Sequence, residues 1–152
     1  MVLARVRARV ARGRRENGAA LVETALTLPI LLLVCVGILE FGRAYQAWQV
    51  VTNASREGAR VAVLPGTSDG AVTERVRAYL RAGALDKADE TGVVITRNAT
   101  VSIGARSASA SRVLVEYPFA FMVLQPIAQL VVSGSRAGEA FTMRAATTMR
   151  NE

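Results

Sequence analysis

The sequence predicts an α+β protein in which a long N-terminal transmembrane helix continues into a small soluble domain with a short helix and an antiparallel sheet. Residues 19–39 form an apolar stretch with one charged side chain, Glu23. Helical spacing of apolar and small residues then continues to Leu64, and alternating segments separated by turn residues follow. A chain of 152 residues has room for one small domain beside such a helix.

A basic leader, residues 1–18, precedes the apolar stretch. Residues 1–17 contain six arginines and one glutamate, a local balance of +5, which leaves +2 for the remaining residues out of a formal net charge of +7. A nucleic-acid-binding domain would spread its basic residues over the folded surface. Arginines in front of an apolar segment instead orient it, because the positive end stays in the cytoplasm. We therefore expect no nucleic-acid partner and an exported C-terminal part.

Residues 19–39 are predicted to be a transmembrane helix that contacts the lipid bilayer. A helix of this length rises about 30 Å, the thickness of the hydrocarbon core. Pro29 is expected to kink the helix without breaking it, because proline is tolerated in membrane helices. Cys35 is the single cysteine, so it has no partner for an intramolecular disulfide, and we interpret it as a small apolar side chain within the span.

Three interpretations of the N-terminus compete. A secretory signal peptide has an apolar core of about 7–15 residues followed by a small-x-small cleavage site, and residues 34–43 contain no such site in good position. An uncleaved anchor fits the hydropathy well. The third interpretation is a leader for a prepilin peptidase, which cuts on the cytoplasmic side after a glycine, with a glutamate five residues further on. Gly18, Ala19 and Glu23 match this pattern, and the cleavage would fall between Gly18 and Ala19.

Glu23 has two interpretations of comparable weight. A carboxylate at mid-membrane costs roughly 2.5–3.5 kcal/mol, but Glu23 lies only about 6 Å beyond Ala19 along a helix, so its cost is smaller. It can reach the interface, or stabilise the helix N-terminus through the helix dipole. Alternatively, cleavage after Gly18 creates a positive amine on Ala19, and this amine, on the same or a neighbouring subunit, neutralises Glu23 within the membrane.

The helix is predicted to continue beyond the membrane until Pro65-Gly66 ends it. Apolar and small residues at steps of three or four predict its packed face: Phe41, Tyr45, Trp48, Val51, Ser55, Ala59 and Ala62. The first three are large aromatic side chains, and two of them, Tyr45 and Trp48, also suit an aromatic belt just outside the membrane.

Two ion pairs are predicted on the same helix. Glu40 with Arg43, and Glu57 with Arg60, are each one helical turn apart. The second pair belongs to residues 56–60, a charged segment around a glycine. We interpret this segment as solvated charges around a close-packing glycine, and no chemistry follows from it.

A short helix and a first strand region follow the long helix. A turn and N-cap at residues 67–70 precede an apolar helical face, and Gly83 is suited to end that helix. Residues 93–97 and 100–103 are predicted to be two strands or one bent strand. Residues 104–111 are rich in serine and alanine, and are predicted to be a flexible connection.

Three further segments complete the predicted sheet and its cover. Residues 112–117 predict a buried strand that Pro118 limits. Residues 119–132 are apolar but too few to span a membrane easily, and are predicted to form a loop and a short helix over the core. Residues 141–150 predict a last strand with four inward side chains: Phe141, Met143, Ala145 and Met149.

Several segments of the sequence resemble one family. Residues 18–26 (Gly-Ala-Ala-Leu-Val-Glu-Thr-Ala-Leu), residues 39–43 (Leu-Glu-Phe-Gly-Arg) and residues 54–60 (Ala-Ser-Arg-Glu-Gly-Ala-Arg) are similar to the TadE-like pseudopilins of tight-adherence pilus systems. The C-terminal strand ending at Met149-Arg150 is also similar. The resemblance covers most of the chain and is strongest over residues 18–64.

The resemblance implies a pilin-like fold and a minor pilin-like subunit that helps pilus assembly or anchoring. It places the chain in a bacterial inner membrane, with its N-terminus in the cytoplasm. It implies cleavage by a prepilin peptidase, and partners among other pseudopilins, Flp pilins and the inner-membrane secretion platform. Major pilins of these systems are far shorter, and commonly carry a tyrosine after the glutamate, where this chain has Thr24. Both departures favour a minor subunit.

Two other classes of function are alternatives. An enzyme is disfavoured because the chain has no histidine, no glycine-rich phosphate loop and a single thiol that lies within the span. No catalytic residue, metal ligand or cofactor is therefore predicted. The second alternative is an unprocessed single-pass membrane protein whose exported domain, residues 40–152, binds a ligand or a partner. The mature N-terminus discriminates, because a chain that begins at Ala19 supports the pilin-like interpretation and one that retains its arginines supports the plain anchor.

Overall fold

The computed structural model describes the backbone of residues 2–103 and 106–151, and the side chains of these residues except 2–17, 102, 103, 106 and 131. The predicted basic leader, residues 1–18, therefore lies almost entirely outside the described side chains. The chain divides into two compact units, Met1–Leu39 and Glu40–Glu152. The order of elements is α1, α2, β1, β2, α3 and β3.

Helix α1 spans Val2–Ala62, and it is unbroken at Pro29. In the first unit every side chain from residue 18 to residue 39 is exposed, apart from the half-exposed Val36 and Gly37. Among the described residues this is the one helix that is long and apolar enough to cross a membrane. The predicted transmembrane-like helix is confirmed as a helix of the required length and composition.

In the second unit, α1 packs through a face of small residues. The buried members of this face are Ala47, Val51, Ala54, Ser55, Ala59 and Ala62. The predicted stripe is correct from Val51 onward and wrong for its aromatic members, because Phe41, Tyr45 and Trp48 are 64%, 66% and 45% exposed. Small side chains let the helix backbone approach the sheet and its neighbouring helix closely, whereas the three aromatic rings remain largely exposed.

Helix α2 spans Asp69–Ala82 and has the predicted caps. The Ser68 hydroxyl accepts a hydrogen bond from the Ala71 N–H at 3.2 Å, which satisfies one of the free donors at the helix start. Gly83 follows the last turn and donates its N–H to the Tyr79 carbonyl. The helix buries Val72, Val76 and Leu80 against the core.

Strands β1 (Gly92–Ile103), β2 (Arg106–Phe119) and β3 (Phe141–Arg150) form an antiparallel sheet in the order β1-β2-β3. Strand β1 is one bent strand, with a register shift between Thr96 and Ala99 where Asn98 adopts a φ of 57°. The prediction of a flexible connection over residues 104–111 is wrong for residues 106–111, which lie in β2. Their serine and alanine side chains have weak strand preference, but their backbones pair with β1.

The C-terminal half of the sheet differs from the prediction in two details. Pro118 does not limit β2, because the strand continues one residue further and Pro118 stands opposite Thr142. Near the end of a strand, the missing N–H costs little. Met143 and Ala145 are buried, and Met149 is half-buried against the core. Phe141, predicted to point inward, is 45% exposed at the end of the sheet.

Helix α3 spans Leu124–Val131 and follows β2 after a short loop, as predicted for residues 119–132. Gly138, in the loop that leads to β3, has a φ of +77°, and a Cβ added there would lie 2.7 Å from the backbone nitrogen of Gln125. This position needs glycine because the loop backbone approaches the first turn of α3 closely. The α+β class and the antiparallel sheet are confirmed, and the sheet has three strands.

Candidate functional site

The predicted processing residues lie on the first unit. Gly18 and Ala19 are both helical and exposed. A Cβ added at Gly18 would meet no atom within 4 Å, so no contact described within the chain requires a glycine there. Glycine inside a helix costs about 1 kcal/mol relative to alanine. Packing within this chain therefore gives no reason for the glycine at this position.

Glu23 is exposed on the same helix, and no hydrogen bond or ion pair reaches its carboxylate from the residues that the structure describes. The nearby hydroxyls are satisfied locally. Thr24 donates to the carbonyl of Ala20 at 2.8 Å, and Thr27 donates to the carbonyl of Glu23 at 2.9 Å. Such bonds let threonine enter an apolar environment without an unsatisfied donor. Glu23 is thus the polar side chain of residues 19–39 that lacks this local compensation.

A second carboxylate, Glu40, begins the second unit and is almost completely buried, at 4% exposure. Its side chain forms the predicted ion pair with Arg43, at 3.2 Å. One of its oxygens also accepts the backbone N–H of Met122 at 3.0 Å. The sequence analysis missed this contact, because the two residues are 82 positions apart and no local spacing reveals it. Glu40 therefore holds the loop before α3 against α1.

Four phenylalanines surround this contact, and the sequence analysis did not group them. Phe121 contacts Phe41, Phe119 and Phe141, with ring centroids 6.0, 5.3 and 6.0 Å apart. The guanidinium of Arg43 lies 5.5 Å from the centre of the Phe119 ring, within the range of a cation–π contact. We call these four rings the phenylalanine cluster. It joins α1, the end of β2 and the start of β3.

A cleft of about 330 Å³ opens beside this cluster, and Arg43, Asp86, Lys87 and Tyr117 contribute its polar lining. The Tyr117 hydroxyl donates to Asp86 at 2.9 Å. Burial, reinforced by this hydrogen bond, raises the pKa of Tyr117 to about 12. The phenol therefore stays neutral at physiological pH and acts as a hydrogen-bond donor. In the part of the chain that the structure describes, no group of side chains is arranged to hold a metal ion.

The charged segment at residues 56–60 contributes to the packing of α1 on α2 and β2. A Cβ added at Gly58 would lie 2.6 Å from Val76 Cγ2 and 3.2 Å from Val113 Cγ1, so α1 meets α2 and β2 closely here. Glu57 forms the predicted pair with Arg60, and also a pair with Arg75 of α2 at 2.7 Å. Hydrogen bonds from Arg75 and Arg60 hold the pKa of Glu57 below its usual value. The close-packing glycine is confirmed, but Glu57 is bound between two arginines rather than solvated.

These features define a class of protein: an α+β domain, with a close-packed helix on a three-stranded antiparallel sheet, in a chain with a long apolar N-terminal helix suited to membrane anchoring. Residues 18–60 match the family model of TadE-like proteins, which confirms the resemblance over this segment. The matched segment contains the apolar part of α1 and most of its packed part, and it is less than half of the chain. Searches of the curated proteins and of the solved structures gave no significant match.

Proposed function

We propose that this protein is a minor pseudopilin of a tight-adherence pilus system, cleaved by a prepilin peptidase between Gly18 and Ala19. The observation that carries the proposal is the position of the family match, which begins at Gly18 and leaves the arginine leader outside. An apolar helical stretch, in which nearly all residues are exposed, starts directly after this point. The boundary expected for a cleavable leader and the boundary of the matched segment therefore coincide.

The local geometry supports cleavage at this site. Glycine at residue 18 is unexplained by packing within the chain, since an added Cβ would meet nothing. A peptidase that requires a small residue before the scissile bond would explain the glycine at this position. Cleavage also removes the leader that carries six arginines. The mature chain then begins at the first residue of the apolar helix.

Cleavage also gives Glu23 a partner. The new amine of Ala19 would stand four residues before Glu23, on the same helix face and about 6 Å away. A positive amine at this distance, on the same or a neighbouring subunit, lowers the cost of keeping a carboxylate in an apolar environment. No described side chain of this protein supplies that partner. Glu23 is therefore proposed as the residue through which subunits recognise one another during assembly.

The size of the second unit favours a minor subunit over the main building block of a filament. The domain of residues 40–152 is proposed to lie outside the cytoplasm, with the N-terminus inside, because the arginines precede the span. Its proposed partners are the prepilin peptidase, other pseudopilins, Flp pilins and the secretion platform of the inner membrane. Its proposed role is to help pilus assembly or anchoring.

The test of cleavage is a matched pair of glycine substitutions. Gly18→Leu is expected to abolish processing, because a bulky side chain would occupy the position before the scissile bond. Gly37→Leu is the control, since Gly37 lies in the same apolar helix and an added Cβ there also meets nothing within 4 Å. Mass spectrometry of protein extracted from membranes should find a chain that starts at Ala19 in the wild type and the control, and the full precursor in Gly18→Leu. Normal processing of Gly18→Leu would refute the leader assignment.

The alternative is an unprocessed single-pass protein whose exported domain binds a ligand or partner. The cleft of about 330 Å³ favours it, because an apolar wall and the charged groups of Arg43, Asp86 and Lys87 converge there. The same mass measurement decides between the two, because this alternative requires a wild-type chain that retains its arginines.

A further inference from the structure

The outward face of α3 is apolar. Met122, Leu130 and Val132 are 66%, 86% and 60% exposed, and Val123 is 41% exposed. With the exposed Pro126, they form a surface that we call the α3 patch: Met122, Val123, Pro126, Leu130 and Val132. No charged side chain occurs in residues 117–135. A helix at a water-exposed surface normally carries charged or polar residues on its outer face, and α3 does not.

Helical geometry accounts for the two faces of α3. Val123, Pro126 and Leu130 are spaced at i, i+3 and i+7, so they share one face, and all three are exposed. Leu124 and Ala128, one turn apart, are half-buried and lie on the opposite face. The apolar residues of α3 are therefore not all explained by packing on the core.

The α3 patch is fixed to the residues that directly follow the apolar helix. The loop before α3 is held by the hydrogen bond from the Met122 N–H to the buried Glu40, and Phe121 contacts Phe41. Phe41 lies about 3 Å beyond Leu39 along a helix. The headgroup layer on each side of a bilayer is roughly 5–8 Å thick. If residues 19–39 span the hydrocarbon core, chain connectivity keeps Glu40 and Phe41 next to the headgroups, and these are the residues that hold the loop before α3.

We propose that α3 lies in the membrane interface and is a second membrane contact of this protein, with the α3 patch in the boundary between headgroups and acyl chains. The lipid removes the apolar side chains of the α3 patch from water, as in an interfacial helix, whose apolar face is buried by about 5–10 Å in this boundary. The inference rests on the membrane anchorage contained in the proposed function, and is independent of cleavage at Gly18.

Charge distribution favours lipid over a second copy of the chain as the occupant. A specific protein contact carries charged or hydrogen-bonded groups at its rim that fix its register. The polar side chains of α3 are the uncharged Gln125 and Gln129, which suit the wet headgroup layer. Tyr45, 66% exposed on α1, adds an aromatic side chain of the kind enriched at membrane surfaces.

The test uses the full chain in vesicles of phosphatidylethanolamine and phosphatidylglycerol. Cys35→Ala first removes the native thiol, and single cysteines then carry an environment-sensitive nitrobenzoxadiazole label. Leu130→Cys reports on the α3 patch, and Val132→Cys repeats the measurement. Leu64→Cys is the matched control, because Leu64 is also exposed, at 54%, and lies beyond the other end of the packed part of α1. Ile38→Cys, 67% exposed, reports on the apolar helix itself.

Vesicles that contain lipids with nitroxides at shallow positions of the acyl chain should quench the labels at residues 130 and 132, and should leave the label at residue 64 unquenched. Quenching at residue 38 without quenching at residues 130 and 132 would overturn the inference and leave the anchorage intact. Absence of quenching at residue 38 would instead overturn the anchorage. A blue-shifted label at residue 130 that depends on protein concentration and not on nitroxide lipids would assign the patch to a second copy, and would also overturn the inference.

Discussion

The two parts of α1 are built on opposite principles. From Ala19 to Leu39 most of its side chains are apolar, and they are exposed around nearly the whole circumference. From Glu40 to Ala62 the same helix has one buried face of small residues, and its three large rings are 45% to 66% exposed. The first part suits an apolar solvent on every side, whereas the second suits a single close contact with a sheet and another helix.

The difference shows that the segment matched by the family model meets two separate requirements, an apolar composition in its first part and close packing in its second part. The matched residues 18–60 include the exposed apolar part and most of the close-packed part. In the first part the composition matters and individual neighbours do not, since added atoms at Gly37 meet nothing. In the second part individual atoms matter, since one added methyl at Gly58 would overlap with Val76. The predictions below test this contrast.

The largest expected effect is at Gly58. Gly58→Val should destabilise the second unit by about 3 kcal/mol, because the new side chain cannot fit between α1, α2 and β2 without moving them. Gly37→Val makes the same substitution in the exposed part of α1, and should leave unfolding of the second unit unchanged. Thermal unfolding followed by near-UV circular dichroism in micelles measures both variants. Equal melting temperatures for Gly58→Val and the wild type would contradict the close packing.

A second contrast compares two glutamates of the same helix. Glu40→Ala should destabilise the second unit by about 2 kcal/mol, because the Met122 N–H loses its acceptor and Arg43 loses its ion-pair partner. Glu23→Ala should change that stability by less than about 0.5 kcal/mol, since its carboxylate is exposed. Under the proposed function it should instead abolish assembly with partner subunits.

Denaturation measures the stability of both variants, and counting pili on cells that carry them measures assembly. Wild-type numbers of pili with Glu23→Ala would reduce Glu23 to an interfacial residue. Unchanged stability of Glu40→Ala would show that the loop before α3 is held by other contacts.

Local signals made part of this fold predictable. Ser68 and Gly83 mark the ends of α2 because a cap acts within three residues. The spacing of Gly18 and Glu23 is likewise a local motif. Residues 106–111 were missed because their serine and alanine side chains carry no strand signal, and it is backbone pairing with the preceding strand β1 that makes them a strand.

The aromatic error has a related cause. A stripe of Phe41, Tyr45 and Trp48 satisfies helical periodicity, but periodicity does not tell which side the sheet covers. The buried Glu40 was recognised as a partner of Arg43, and its contact with Met122 was not, because that contact joins residues 82 positions apart. Long-range contacts of this kind are decided by tertiary packing and leave no local pattern in the sequence.

The smallest expected effect per step of the measurement, one pH unit, compares a packed tyrosine with an exposed one. Burial and the hydrogen bond to Asp86 raise the pKa of Tyr117 to about 12, above its ordinary value of 10.0. Between these values the folded state retains a proton that the unfolded state releases, so raising the pH lowers the stability, by about 1.4 kcal/mol per pH unit from this group. Below pH 10 the contribution is fully present.

Tyr117→Phe should remove this slope, and Tyr45→Phe, at an exposed position of α1, should keep it. Urea denaturation between pH 9 and pH 12, in steps of about one pH unit, measures how the free energy of unfolding changes with pH. If the stability of Tyr117→Phe still falls with rising pH in this range, the pH dependence comes from another group, and the buried Tyr117 is not its source.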